Sequence, residues 1–473
     1  MKRGYIKNLK NIRKSIHVRF LSEIAAVLAI ASATRFYHLF QPATEVFDEK
    51  FYRFQAANYI THNFYFDVHP PLGKLIYYVF AKIIHLSAES ITGSGFVYLR
   101  ILPALCGVLL VYVVWATLRT LGVSRKFAFL ASFIMALEPI LIVESRYVLI
   151  EPFLKLAVFF SFYSYAMARI RAGNSHRLWL VLSIISAGLA ASIKWTGLTA
   201  LLILVIWYSF DTGIKKPLFT TNKKLIVTLS GIFFVVFIMY LTFFAIHTSL
   251  LTRSGQDDDF VGIKYQSTLI GNKNYNSHIT MTSREKFFEL QLTMISGQEN
   301  MRKGHPYHAI WYTWPLMNKP ILFWVNDAKA PTARIYLIGN IVIWLSIWPL
   351  YIYGVFLLMK NYKKLRPEQT KILFILLLSF MLNFLPFGGI NREMFLYHYI
   401  VAYIFSLMVA IYVWDTYINI QKQNKKYINI LKVIYFVILL TCICVFVYLS
   451  PIIYGWQITN NQYEKILFIK SWR

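Results

Sequence analysis

The chain has 473 residues, 57% of them hydrophobic and only 15% charged, with a mean hydropathy of +0.51. This balance excludes a water-soluble globule of such size and reads as an integral membrane protein. The net charge of +28 falls in short clusters between apolar runs, as orientation signals on one membrane face do, so no nucleic-acid partner is expected.

Taken in order, the chain opens with Lys2, Arg3, Lys7, Lys10, Arg13, Lys14 and Arg19 before an apolar run from Phe20 to Phe40. No small-residue cleavage site follows, so this reads as an uncleaved first span with a cytoplasmic N-terminus. The first outer loop, residues 41–95, then holds the polar stretch Thr44 to Lys74. Within it, Leu72 to Leu86 is shorter than the ~20 residues a span needs and carries Lys82 and His85. It is expected to lie in the outer interface. Further spans are expected at Phe96–Leu118, Phe127–Val143, Val148–Ala168, Leu178–Ile193, Gly197–Phe210 and Leu225–Ile246. After an outer loop over 248–332, the last four run Ala333–Met359, Ile372–Leu385, Phe395–Val413 and Asn429–Ile453. The intervening inner loops carry Arg119, Arg125 and Lys126; Arg169, Arg171 and Arg177; Lys215, Lys216, Lys223 and Lys224; Lys360, Lys363, Lys364 and Arg366; and Lys422, Lys425 and Lys426. The fold expected is an all-α polytopic membrane protein of about eleven helices in one domain (1–473), with no separate soluble domain. Cys106, Cys442 and Cys444 lie inside apolar runs and imply neither a disulfide framework nor a zinc site.

This topology brings four polar or aromatic clusters to the outer side. They are Asp48, Glu49, Asp67, His69 and Lys74; Glu144, Arg146 and Glu151; the run His305 to Pro315; and Arg392, Glu393 and His398 within LPFGGINREMFLYHY. Lys194, at a turn between spans, adds a cation there. Ionisable groups beside a bilayer are expensive and read first as functional. An enzyme using a lipid-linked phosphate donor needs this set. A carboxylate takes the proton from an attacking hydroxyl, Arg and Lys hold the phosphate and the charge that grows on it, and aromatic faces and apolar grooves hold a sugar and a polyprenyl tail. Each piece also has a plainer reading: Asp257 to Asp259 as a solvated turn, Arg146 as a structural partner of Glu144 or Glu151, and His398 as part of an aromatic belt.

The segments VFDEKFYRFQAANYI with FDVHPPLGKLI, ESRYVLIEPFL, GLAASIKWTGL, HPYHAIWYTWPL and LPFGGINREMFLYHYIVAY resemble, in order from Arg35 to Tyr403, the protein O-mannosyltransferases. The resemblance implies a GT-C type fold and inverting transfer of mannose from a dolichyl or polyprenyl phosphate to Ser or Thr hydroxyls of secreted or membrane proteins. It implies that Asp48 is the general base with Glu49 supporting it, and that Arg146 contacts the donor phosphate, with Arg392, His398 and Lys194 around the donor. It further implies Asp67, His69, Glu151, His305, Tyr307, Trp314 and Tyr397 as substrate-binding residues. No cofactor is required on this reading, although Asp48 and Glu49 could share a divalent cation. The loop over 248–332 has no room for the three MIR repeats of eukaryotic members. That points to a minimal prokaryotic form in a bacterial plasma membrane, or the ER membrane if the source is eukaryotic. Two other readings stand beside it: a transferase of the same architecture acting on a lipid, as aminoarabinose transferases of lipid A do, and a flippase or transporter.

Overall fold

The computed structural model describes residues 22–212, 223–299, 304–326, 331–360, 363, 365–420 and 425–473. The N-terminal basic segment and Lys215, Lys216, Lys364 and Lys422 lie outside the described residues.

Helices form where the apolar runs lead one to expect them. A helix over residues 22–36 (α1) is followed by α2 (Glu49–Thr61), α3 (Leu72–Ile83) and α4 (Ala88–Thr92). Then come α5 (Ile101–Thr120), α6 (Arg125–Leu137), α7 (Pro139–Glu144), α8 (Glu151–Arg169), α9 (Gly173–Ile193), α10 (Leu198–Thr212) and α11 (Lys223–Leu250). The segment after α11 holds α12 (Ile263–Gln266) and α13 (Ser283–Glu299). The C-terminal part contains α14 (Ile341–Lys360), α15 (Pro367–Phe384), α16 (Ile400–Ile420), α17 (Lys425–Tyr454) and α18 (Asn460–Ile466). Among the described residues, eight helices are long and apolar enough to cross a membrane. The other three expected crossings are α1, described only over 22–36, the 13-residue α6, and the 19-residue α8 with its Glu151, Lys155 and Arg169.

Two expected spans are built differently. Phe127–Val143 is not one helix: Glu138 is extended (φ −72°, ψ 113°) and Pro139, which cannot continue a helix, starts α7. The break is satisfied, because the Glu138 carboxylate accepts the Asn340 N–H and the Tyr403 hydroxyl, both at 2.8 Å. The span expected from Ala333 begins instead as a strand. β1 (Ile321–Asn326) pairs antiparallel with β2 (Thr332–Leu337), which pairs antiparallel with β3 (Gln457–Ile458). Among the described residues the otherwise helical chain thus carries one small sheet, in the order β1-β2-β3. The β-branched and aromatic residues of β2 suit a strand, and Asn340 then caps α14 by accepting the N–H groups of Val342 and Ile343.

The helices that matter for function run antiparallel in neighbouring pairs, α8 beside α9 and α15 beside α16. Glu151, Lys194, Gly389 and Tyr397 therefore gather at one end of the bundle, and Arg169, Arg366 and Asn419 at the other.

Candidate functional site

The chain enters the site through Phe47, whose φ of 55° is left-handed. For a bulky residue this is strained, and the surroundings must impose it. Here the Phe47 N–H donates to the Phe323 carbonyl of β1 at 3.0 Å, and the two rings stack at 4.1 Å, 2° from parallel. Asp48 follows at the N-cap of α2, yet its side chain makes no cap hydrogen bond. Burial, reinforced by the nearby Glu151, pushes the Asp48 carboxyl up to about 7, against the opposing pull of Lys194 and Lys50. An acid near neutrality is suited to taking a proton at physiological pH.

Glu49, one residue on, faces the other way. Its side chain is fully buried. Oε1 accepts from Arg100 Nε and the Val148 N–H, both at 2.8 Å, and Oε2 accepts from Arg100 at 2.7 Å and the Val46 N–H at 2.8 Å. Arg100 spends its remaining donors on the carbonyls of Leu39, Pro42 and Thr44. Four hydrogen bonds exhaust a carboxylate, so Glu49 has no oxygen left for a substrate or for a cation shared with Asp48. In this arrangement Glu49 fixes the Asp48 loop to the bundle, and the expected catalytic and cation-sharing roles of Glu49 would have to displace these bonds.

The cation facing Asp48 comes from a helix break. α9 ends at Ile193, Lys194 is extended, and a 3-10 turn Trp195–Gly197 leads into α10. Gly197 allows this turn, because a Cβ there would lie 2.1 Å from the Ala190 carbonyl oxygen. Lys194 Nζ pairs with Glu151 Oε1 at 3.0 Å and sits 5.3 Å over the Tyr397 ring. One turn along α8, Lys155 pairs with Glu144, so acids and lysines alternate inward from Asp48.

The third side is the 392–398 segment. Its Leu396–Tyr399 turn stacks His398 against Tyr397 at 4.4 Å and parallel to Trp314 at 5.9 Å. His398 Nδ1 lies 3.1 Å from the Phe395 amide nitrogen and 3.0 Å from its carbonyl oxygen. Glu393 accepts the Gly304 and His305 N–H groups, and Met394 N–H donates to His308 Nδ1 at 3.1 Å. The His305–Trp314 run is thereby clamped on this segment, with Trp314 fully buried and donating to the Ala309 carbonyl at 3.1 Å.

Two adjoining cavities result. An outer one of 490 Å³ is lined by His69, Lys194, Trp195, Asn391 and Arg392 among others. An inner one of 340 Å³ is lined by Glu151, Lys155, Lys194, Tyr397 and His398 and is walled by Leu198, Leu202, Leu382 and Val401. Lys194, Trp195, Thr196 and Ile390 line both. Burial, and then the positive charges of Lys194, Lys74 and Arg392, hold His69 well below the usual histidine range. It is a neutral hydrogen-bonding group and not an anion-binding cation.

Of the residues expected at the site, Asp48, His69, Glu151, Lys194, Arg392, Tyr397 and His398 come together, with Trp314 behind His398. Asp67 supports the site without lining it: it pairs with Lys74 at 2.9 Å, and Lys74 also donates to the His69 and Pro70 carbonyls, fixing the His69 loop. His305 and Tyr307 line neither cavity; His305 lies edge-on to Phe395 at 4.9 Å, on the segment that carries Tyr397 and His398. Arg146 lies elsewhere. It is fully buried and donates to the carbonyls of Arg35, Tyr37 and His38 beneath the Tyr454 ring. It pairs with neither Glu144 nor Glu151, and it lines neither cavity, so its guanidinium is committed to the turn after α1. Sequence reasoning missed Arg100, Lys155, and the Thr199–Asn383 hydrogen bond of 2.8 Å that joins α10 to α15 inside the inner cavity. The one visible signal for Lys155 was its spacing of four residues from Glu151 on a helix.

Comparison with known proteins gives a consistent result. Residues 25–252 match the family described as dolichyl-phosphate-mannose-protein mannosyltransferase, and residues 283–472 match the C-terminal four-TMM region of protein-O-mannosyltransferase. The chain is 30% identical over 281 residues to dolichyl-phosphate-mannose–protein mannosyltransferase 1 of Candida albicans, a match covering 55% of this chain and 32% of that protein. It is 30% identical over 285 residues to the Saccharomyces cerevisiae protein of the same name, covering 56% and 34%. The match thus spans about a third of the length of these relatives. In structure, the chain superposes on the S. cerevisiae protein O-mannosyltransferase Pmt1-Pmt2 complex bound to the sugar donor with a TM-score of 0.84 at 17% identity, covering 96% of this chain and 93% of that one. ArnT from Cupriavidus metallidurans in the apo state follows at a TM-score of 0.51 and 13% identity, covering 85% and 60%.

Proposed function

Because the chain belongs to the protein O-mannosyltransferase family, we propose that it transfers mannose from a polyprenyl-phosphate donor to Ser or Thr hydroxyls of exported proteins, with Asp48 as general base. The observation that carries the reading is the gathering beside Asp48 of Lys194, paired with Glu151 at 3.0 Å and seated over the Tyr397 ring, where Lys194 lines both adjoining cavities.

In this reaction the acceptor oxygen attacks the anomeric carbon. The new glycosidic C–O bond forms as the bond from that carbon to the phosphate oxygen breaks, the electron pair leaves on the phosphate, and the acceptor proton passes to Asp48. Attack opposite the leaving group inverts the centre. Lys194, with Arg392 at the mouth, stabilises the growing phosphate charge, an interaction stronger in the transition state than in the ground state. The first isoprene units occupy the apolar wall of Leu198, Leu202, Leu382 and Val401, while the acceptor enters past the rings of His305 and Tyr307. Neutral His69 and the stacked His398 hold sugar hydroxyls. The proposal keeps eleven crossings, a cytoplasmic N-terminus and a site on the outer face of a bacterial plasma membrane.

The test is transfer of radiolabelled mannose from synthetic polyprenyl-phosphate-mannose to a Ser/Thr-rich peptide by purified protein, with Asp48→Asn as control. Label in the peptide that the variant abolishes supports the reading. Label found only in lipid would favour a lipid acceptor, and active, folded protein without any transfer would overturn the assignment of mannose.

A further inference from the structure

A second polar cavity, of 500 Å³, lies at the end of the bundle opposite Asp48, where α5, α8 and α16 end and α15 begins. Its lining includes Gly122, Arg169, Arg366, Glu368, Asp415 and Thr416. None of these residues is shared with the site above, and the proposed reaction uses none of them. One wall is already neutralised. Arg169 binds Asp211 and Glu368, and Lys371 adds a second cation on Asp211 at 2.8 Å. What remains is one acid and one base. Asp415 is only 6% exposed. Its Oδ2 accepts the Ser124 N–H at 3.0 Å, with the Asn419 amide at 3.5 Å. Its Oδ1 accepts no hydrogen bond among the described residues. Arg366, by contrast, is exposed at the N-cap of α15 and forms no ion pair among the described residues.

The electrostatics of the cavity separate by depth. Three helix C-termini converge on it, each carrying about half a negative charge, and they reinforce the buried Asp415, so the interior favours a cation with N–H donors. The rim, with Arg366 and the start of α15, favours a phosphate. The volume exceeds what a single ion needs, and Ile170 on its border is 58% exposed. Apolar chains can therefore leave the cavity along the outside of α8. We propose that this cavity binds the headgroup of a zwitterionic aminophospholipid, its primary ammonium on Asp415 and its phosphate on Arg366, as a structural lipid on the membrane face opposite the reaction.

The headgroup chemistry fixes the discrimination. A phosphatidylcholine nitrogen has no N–H to give Asp415, and phosphatidylglycerol brings a hydroxylated anion to a carboxylate. The test is native mass spectrometry of the purified, full-length protein titrated with phosphatidylethanolamine, phosphatidylcholine and phosphatidylglycerol of matched acyl chains, alongside free phosphoethanolamine. Melting temperature is followed in parallel. One phosphatidylethanolamine should be retained with about tenfold preference over the other lipids, roughly the discrimination one good charged hydrogen bond provides, and should raise the melting temperature. Asp415→Asn and Arg366→Gln should each reduce retention to the phosphatidylcholine level. Arg366→Gln leaves the Asp415–Ser124 contact in place and decides the matter if Asp415→Asn does not fold. Equal retention of all three lipids, retention unchanged in Arg366→Gln, or an equal effect of free phosphoethanolamine would overturn the proposal.

Discussion

Replacing Asp48 by Asn separates what the proposed base does for chemistry from what it does to the fold. Its pKa rises from 3.8 to about 7 because burial disfavours the charged form, which corresponds to a penalty of about 4 kcal/mol on the ionised side chain. The sign follows from linkage. With a raised folded-state value, the group's contribution is fully present below pH about 4 and is lost progressively as pH rises through about 7. Asp48→Asn, which cannot ionise, should therefore match the parent protein in stability near pH 4 and exceed it above pH 7, by up to about 4 kcal/mol. Transfer should fall by ~10²–10⁴-fold. In the parent protein the rate should climb about tenfold between pH 6 and 8, following the ionised fraction of a group titrating near 7. Melting curves across this range, beside mannose transfer from the synthetic donor, read both quantities. Retained transfer in the variant, a flat parent profile, or a variant less stable than the parent at pH 8 would refute the reasoning.

Glu49→Gln, one residue away, should behave in the opposite way, losing stability by about 3–5 kcal/mol because it leaves the buried Arg100 without its counter-charge; thermal unfolding checks this, and a stable but inactive Glu49→Gln protein would return Glu49 to the chemistry. Arg146→Lys should lower stability by about 2–4 kcal/mol, since one ammonium cannot satisfy the carbonyls of Arg35, Tyr37 and His38 together, while donor KM in the surviving folded fraction stays unchanged. Lys194→Gln should raise donor KM and lower kcat at least tenfold through loss of the phosphate-facing charge, and unchanged steady-state kinetics would count against that role. Gly197→Ala places a methyl 2.1 Å from the Ala190 carbonyl oxygen, so it should displace Lys194 and reduce transfer with a smaller change in melting temperature; a fully active Gly197→Ala enzyme would show that the turn is not under positional control.

That Glu151, Lys194, Arg392 and Tyr397 share one end of the bundle was legible because a strict alternation of spans leaves little choice about which segments share a face. Side-chain direction was not legible. Asp48 and Glu49 are chemically near-equal neighbours at the start of α2. A helix turns about 100° per residue, so one lies beside Glu151 and Lys194 and the other pairs with Arg100, and no property of the pair alone says which. Arg146 and Arg100 posed the same problem. Each is an arginine in an aromatic, apolar setting, and only the fold reveals that one meets three carbonyls and the other a carboxylate. The break at Glu138 was readable in principle, since Pro139 forbids an unbroken helix, whereas β2 was hidden because six strand residues run into an apolar helix with only a short turn between. A buried arginine or glutamate beside a membrane is rare enough to signal function, but the same rarity follows from a structural role, because a loop returning to the bilayer surface must satisfy its carbonyls and N–H groups somewhere. Glu49 with Arg100, and Arg146 with the turn after α1, fulfil that requirement on either side of Asp48. The strained Phe47 backbone and the penalty on the Asp48 carboxylate can persist because those two anchors hold the loop from both ends.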